Sequence, residues 1–90
     1  MLKKKPVFVA DTENQRIRKI TPEGIVSTLS GSGNRGAADG AAREAMFDNP
    51  FGVAVGPDGD VFVTEYPQHR SYRIRKISPD GLVKTLGTGP

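Results

Sequence analysis

The sequence predicts an all-β protein, and three observations predict it. A block running from Arg16 to Leu29 (RIRKITPEGIVSTL) returns from Arg73 to Leu86 as RIRKISPDGLVKTL, with ten of fourteen positions identical. Short apolar, β-branched runs alternate with turn tetrapeptides, the pattern of strands with at least one buried face. Eleven glycines and seven prolines in 90 residues are many breaks for a helical chain.

Val7–Ala10 reads as the first strand, and Val7-Phe8-Val9 returns as Val61-Phe62-Val63 at an offset of 54. Arg16–Thr21 is the second strand; alternation sends Arg16 and Arg18 to one face and Ile17 to the other. Thr21-Pro22-Glu23-Gly24 closes it, because proline fixes φ at the second turn position and glycine tolerates the left-handed exit. Ile25–Leu29 is the third strand. Residues 30–49, rich in Gly and Ala, read as a flexible loop between units. The second unit then opens with Phe51–Val55, which the first unit lacks, and turns at Gly56-Pro57-Asp58-Gly59. Val61–Thr64, Tyr72–Ser78, the turn Ser78-Pro79-Asp80-Gly81 and Leu82–Leu86 complete it. The expectation is three strands over residues 7–29, a loop over 30–49 and four strands over 50–90. The blocks recur at 57 and 54 residues, so the second copy carries three extra residues between Glu65 and Tyr72.

Four-stranded antiparallel units at this spacing suggest propeller blades. Asn49-Pro50-Phe51-Gly52-Val53-Ala54-Val55, Pro57-Asp58-Gly59-Asp60-Val61-Phe62-Val63, and Val9-Ala10-Asp11-Thr12-Glu13-Asn14-Gln15 running into Arg16–Ile20 together resemble the NHL-repeat β-propellers. The resemblance covers nearly everything beyond Pro6. It implies two blades, the first without its inner strand. Gly36-Ala37-Ala38-Asp39-Gly40, with Ala45, Phe47 and Pro50, is similar to the long inter-blade loop of some members. The second unit departs from the pattern where Glu65-Tyr66-Pro67-Gln68-His69-Arg70-Ser71-Tyr72 replaces the compact Asp-Thr-Glu-Asn-Gln turn.

Composition narrows the function. Ninety residues make at most one small domain, and a chain of that length buries only about 60–65% of its unfolded surface. With no cysteine and one histidine, disulfides, thiolate metal sites and histidine-pair zinc sites are out of reach, and no metal or other cofactor is expected. No apolar run is long enough to span a bilayer or to serve as a signal peptide, which favours the cytoplasm. The net charge of +3 is accounted for by Lys3, Lys4 and Lys5, so no basic stripe is expected on the folded surface and nucleic acid is not the expected partner.

Three motifs offer chemistry. Gly31-Ser32-Gly33-Asn34-Arg35-Gly36 matches the dinucleotide fingerprint, but Gly40 interrupts the helix it needs, and Gly-x-Gly recurs at Gly87-Thr88-Gly89 as part of the repeat. His69 with Glu65, Asp11 or Glu13 falls short of a metal set, and family enzymes (amidating lyases, lactonases) gather ligands from several blades. The Arg-Ile-Arg-Lys-Ile blocks read as arginine stems packed on a neighbouring blade with their heads at acceptors on its edge; an RNA-phosphate role, known for some family members, is the alternative. In an up-and-down blade the two long segments, 30–49 and 65–72, fall on one face, where recognition tends to reside. Arg35, Arg43, Tyr66, His69, Arg70 and Tyr72 are the expected contact residues.

The expected function is a non-enzymatic scaffold that binds a protein partner or itself. Two blades would expose an apolar sheet face at each end, so the chain is expected either inside a longer propeller or self-assembled, a trimer of about six blades being the favoured form. An arc of a propeller enzyme and an RNA-binding propeller are the rival readings.

Overall fold

The computed structural model describes residues 4–67 and 71–89. The protein is all-β. Its strands are β1 (Val7–Asp11), β2 (Arg16–Ile20), β3 (Val26–Ser30), β4 (Gly40–Ala41), β5 (Pro50–Val55), β6 (Val61–Glu65), β7 (Tyr72–Ile77) and β8 (Leu82–Gly89). They form two antiparallel sheets, ordered β1-β2-β3 and β4-β8-β7-β6-β5. All seven expected strands are present. The turns work as their residues require: Gly24, Gly59 and Gly81 have φ of 89°, 90° and 86°, and their N–H groups donate to Thr21, Gly56 and Ser78 carbonyls at 2.8, 3.1 and 2.9 Å.

Both sheets carry the repeat in the same register. Val9 faces Arg18 and Arg18 faces Thr28 across the first sheet; Val63 faces Arg75 and Arg75 faces Thr85 across the second. One face of the second sheet, with Val61, Val63, Ile77 and Val83, is buried together with Ile17 of the first sheet. Phe8, Ala10 and Leu29 of the first sheet pack on this core. The period-two alternation therefore puts Phe8 and Ala10 inside, while Val7 and Val9 point out.

The segment expected as a flexible loop is instead part of the core. Ala45 and Phe47 are fully buried, and Gly40–Ala41 adds β4 as an eighth strand, paired with Leu82 and Val83 of β8. Its buried backbone groups are paired, as they must be. Gly31 and Ser32 N–H donate to the Ala42 and Ala45 carbonyls at 2.9 Å, Met46 N–H donates to Ala38 at 2.9 Å, and Ala42 N–H donates to Gly81 at 2.8 Å. The physical reason is geometric. Two twisted sheets meeting along β1 and β5 leave a wedge towards their outer strands, and Ala45 and Phe47 fill it. Gly31 has φ of 110°, and a Cβ there would lie 2.7 Å from the Gln15 carbonyl oxygen. Glycine is thus demanded by backbone shape and close approach, not by a phosphate. No helix follows it, which disposes of the dinucleotide fingerprint.

The compact Asp11–Gln15 turn latches the second sheet. It folds as a 3-10 turn over Thr12–Asn14, with Gln15 left-handed at φ 53°. The Gln15 Oε1 accepts from Asn49 N–H at 2.8 Å, and the Thr12 hydroxyl donates to the Pro50 carbonyl at 2.7 Å, both at the start of β5.

Candidate binding site

The charged chemistry of the chain converges on Arg75, the second arginine of the repeated block in the second sheet. Arg75 and Glu65 are both 0% exposed. Arg75 Nη1 donates to Glu65 Oε1 at 3.1 Å and to the Met46 carbonyl at 2.7 Å. Its Nη2 donates to the Ala38 carbonyl and to Asp39 Oδ1, each at 2.9 Å, and the guanidinium lies 4.8 Å from the Phe47 ring centroid. Glu65 also accepts from Arg73 Nε at 2.9 Å and from Asp48 N–H at 2.6 Å. Arg75 is therefore a clamp that seats the 36–49 segment on the second sheet. The arginine heads expected at acceptors on the edge of a neighbouring blade reach other groups: Arg75 engages the 36–49 segment and Glu65 of its own sheet, and Arg16 Nη2 donates to the Ser32 carbonyl just beyond β3 at 3.2 Å.

Asp39 is the exposed end of this clamp. Burial raises its pKa, but the Thr85 hydroxyl, the Thr85 N–H and the Arg75 guanidinium outweigh that and hold it below the usual carboxylate value. A carboxylate with a depressed folded pKa contributes stability that is present above its unfolded value of about 3.9 and lost as pH falls through the folded one. Asp39→Asn is accordingly expected to flatten the fall in stability below about pH 4. Urea melts at stepped pH check this; an unchanged acid slope would show that Asp39 is not coupled to folding.

The aromatic chemistry gathers at the end of the second sheet where β6 ends and β7 begins. Tyr66 and Tyr72 stack with centroids 4.8 Å apart, and Phe51 meets Tyr72 edge-on at 6.4 Å. Phe51 is 54% and Tyr72 49% exposed. Tyr66 N–H donates to the Asn49 carbonyl at 3.2 Å, which ties the cluster to the start of β5.

The expected contact residues divide. Tyr66 and Tyr72 are brought together, and Phe51 joins them without having been singled out; its place at the start of a strand whose partner ends at Glu65-Tyr66 was the available signal. Arg35 lies near this end, paired with Asp48 Oδ1 at 3.1 Å, and Asp48 is held by Glu65. Arg43 does not join them. It follows Ala42, which is bonded to Gly81 in the 78–81 turn, at the other end of β7 and β8. The two long segments therefore do not share one face throughout, because residues 38–43 run down the outer edge of the second sheet to pair with β8. His69 and Arg70 lie outside the described residues.

A further concavity, about 470 Å³, is lined by Lys5, Pro6, Phe8, Val55, Gly56, Pro57 and Gly59. Among the described residues there is no group of three His, Cys, Asp or Glu placed to hold a metal ion, and no helix long and apolar enough to cross a membrane.

No protein-family model matches the chain. It is 33% identical over 60 residues to Protein SUPPRESSOR OF QUENCHING 1, chloroplastic, of Arabidopsis thaliana, a match covering 66% of this chain and 6% of that protein. Its fold is similar to that of a structural genomics protein of unknown function from Bacteroides thetaiotaomicron VPI-5482. There the TM-score is 0.77 at 28% identity, over 91% of this chain and 20% of that one. The chain thus spans a small part of the length of either protein.

Proposed function

We propose that the chain is a segment of an NHL-like β-propeller that serves as a non-enzymatic scaffold for protein binding, within a larger or self-assembled propeller. Two face-to-face antiparallel sheets with the same register support the blade reading.

The observation that carries the binding role is the group formed by Phe51, Tyr66 and Tyr72. Exposed aromatic residues held on strand ends offer large contact area at low cost in side-chain entropy, and tyrosine is enriched among the residues that dominate interface energies. Arg35, half-exposed and paired with Asp48, adds a charge near this end of the sheet. The exposed apolar residues on the outer face of the first sheet, Val7 and Val26 among them, are the surface that a neighbouring unit would cover, whether in a longer chain or in an assembly.

Peptides selected from a random display library on the immobilised protein test this. Binding is expected to fall at least about tenfold when Phe51 and Tyr72 are both changed to serine, with the melting curve little altered. Selected peptides that bind the double variant as well as the native protein would overturn the assignment. Sedimentation of the native protein reports assembly in the same preparation.

A further inference from the structure

The first sheet has two faces, and the one pointing away from the second sheet reproduces the receptor for the 36–49 segment. Val9, Asp11, Arg18, Ile20, Val26 and Thr28 stand at the repeat positions of Val63, Glu65, Arg75, Ile77, Val83 and Thr85. The ladder pairs are the same, so the side chains share one face in the same arrangement. The ion pair is also reproduced: Arg18 Nε donates to Asp11 at 2.9 Å, and Nη1 to the Thr28 hydroxyl at 2.5 Å. Asp11 is held below the usual carboxylate pKa by Arg18 first and Asn14 second, so it is charged when Arg18 needs it.

What differs is occupancy. Arg75 is 0% exposed, while Arg18 is 27%. Val83 is 1% exposed, while Val26 is 61%. Nη2 of Arg75 takes the Ala38 carbonyl and Asp39; among the described residues Nη2 of Arg18 has no acceptor. Thr85 holds Asp39 through its N–H and hydroxyl, and among the described residues Thr28 has no such carboxylate.

We propose that this outer face is a second receptor for a segment of the 36–49 type. Its occupant is a polypeptide stretch carrying an aspartate, backbone carbonyls beside it and an aromatic ring eight residues further on, supplied by another unit of the same repeat. The aspartate would bridge Arg18 Nη2 and Thr28, and the ring would cover the Arg18 guanidinium and the exposed valines. A second copy of this chain fits less well. It can present Phe62 and Ile74 where the first sheet presents Phe8 and Ile17, but its own 36–49 segment is already seated between its sheets. The receptor rests on contacts seen in the second sheet; only the identity of the donor rests on the propeller reading.

The test is titration of the isotope-labelled full chain with a synthetic peptide of residues 36–49, followed by NMR. Shifts are expected at Val9, Arg18 and Thr28, saturating in the micromolar to millimolar range, and the affinity should drop at least about tenfold when the peptide carries Asp39→Asn or Phe47→Ala. Because those changes are in the peptide, the folding of the protein is not at issue; Arg18→Lys in the protein is the complementary variant and should weaken binding too. Absence of shifts at millimolar peptide overturns the proposal, as do equal affinities of the variant peptides. Shifts confined to Val63, Arg75 and Thr85 would mean exchange with the resident segment, and also overturn it. Concentration-dependent shifts of Val9 and Arg18 that the peptide cannot displace would make a second copy the occupant instead. Peptide binding without any larger assembly leaves the receptor standing and counts against the self-assembled ring alone.

Discussion

Glu65→Ala is expected to destabilise the protein by about 3–5 kcal/mol, enough to unfold a small domain or leave it barely folded. Glu65 is wholly buried and accepts from Arg75, Arg73 and Asp48 N–H. Removing it strands the buried Arg75 with Asp39, 44% exposed, as its remaining carboxylate, and leaves Asp48 N–H without its acceptor. The loss exceeds the net worth of the ion pair, because the penalty is that of a buried charge deprived of its partner. Replacing the pair together, Glu65→Leu with Arg75→Met, should recover only part of it. Arg75 also serves the Met46 and Ala38 carbonyls, which a methionine cannot bond. Urea unfolding at one fixed protein concentration measures both variants, since any assembly would add to apparent stability. A single variant costing less than about 1 kcal/mol would show that the network is solvated in solution.

Phe47→Ala should cost about 3–5 kcal/mol as well, by a different mechanism. Phe47 is fully buried in the wedge between the two sheets and lies under the Arg75 guanidinium. Truncation removes buried apolar area, opens a cavity and exposes the side of Arg75 that the ring covers. Were the segment a flexible loop, as its Gly and Ala content suggested, the change would cost a few tenths of a kcal/mol. Chemical denaturation separates the two outcomes cleanly. Met46→Ala is the local control, since Arg75 engages Met46 through its backbone carbonyl, which the substitution keeps.

The strands and turns of this protein were determined locally, and the sequence by itself disclosed them. Val7–Ala10 and Val61–Thr64 are short apolar, β-branched runs, and Pro followed by an acidic residue and Gly sets each tight turn through φ restrictions that hold in any context. The repeat likewise fixed the pairing, because two copies of one ladder have the same register. The aromatic site was partly legible: Tyr66 and Tyr72 flank a departure from the repeat, whereas Phe51 reaches them only because β5 pairs with β6. Only tertiary structure decided the fate of residues 30–49 and of the two arginine blocks. Arg18 and Arg75 occupy the same place in the same pentapeptide, yet one lies at an open face and the other is sealed beneath Phe47. Arg43 was carried away from the tyrosines by β4 pairing with β8, a contact between residues some forty apart in sequence. Dihedral preference and side-chain alternation act over a few residues and are written in them. Burial depends on which distant surface arrives to exclude water, and that is a property of the packed sheets.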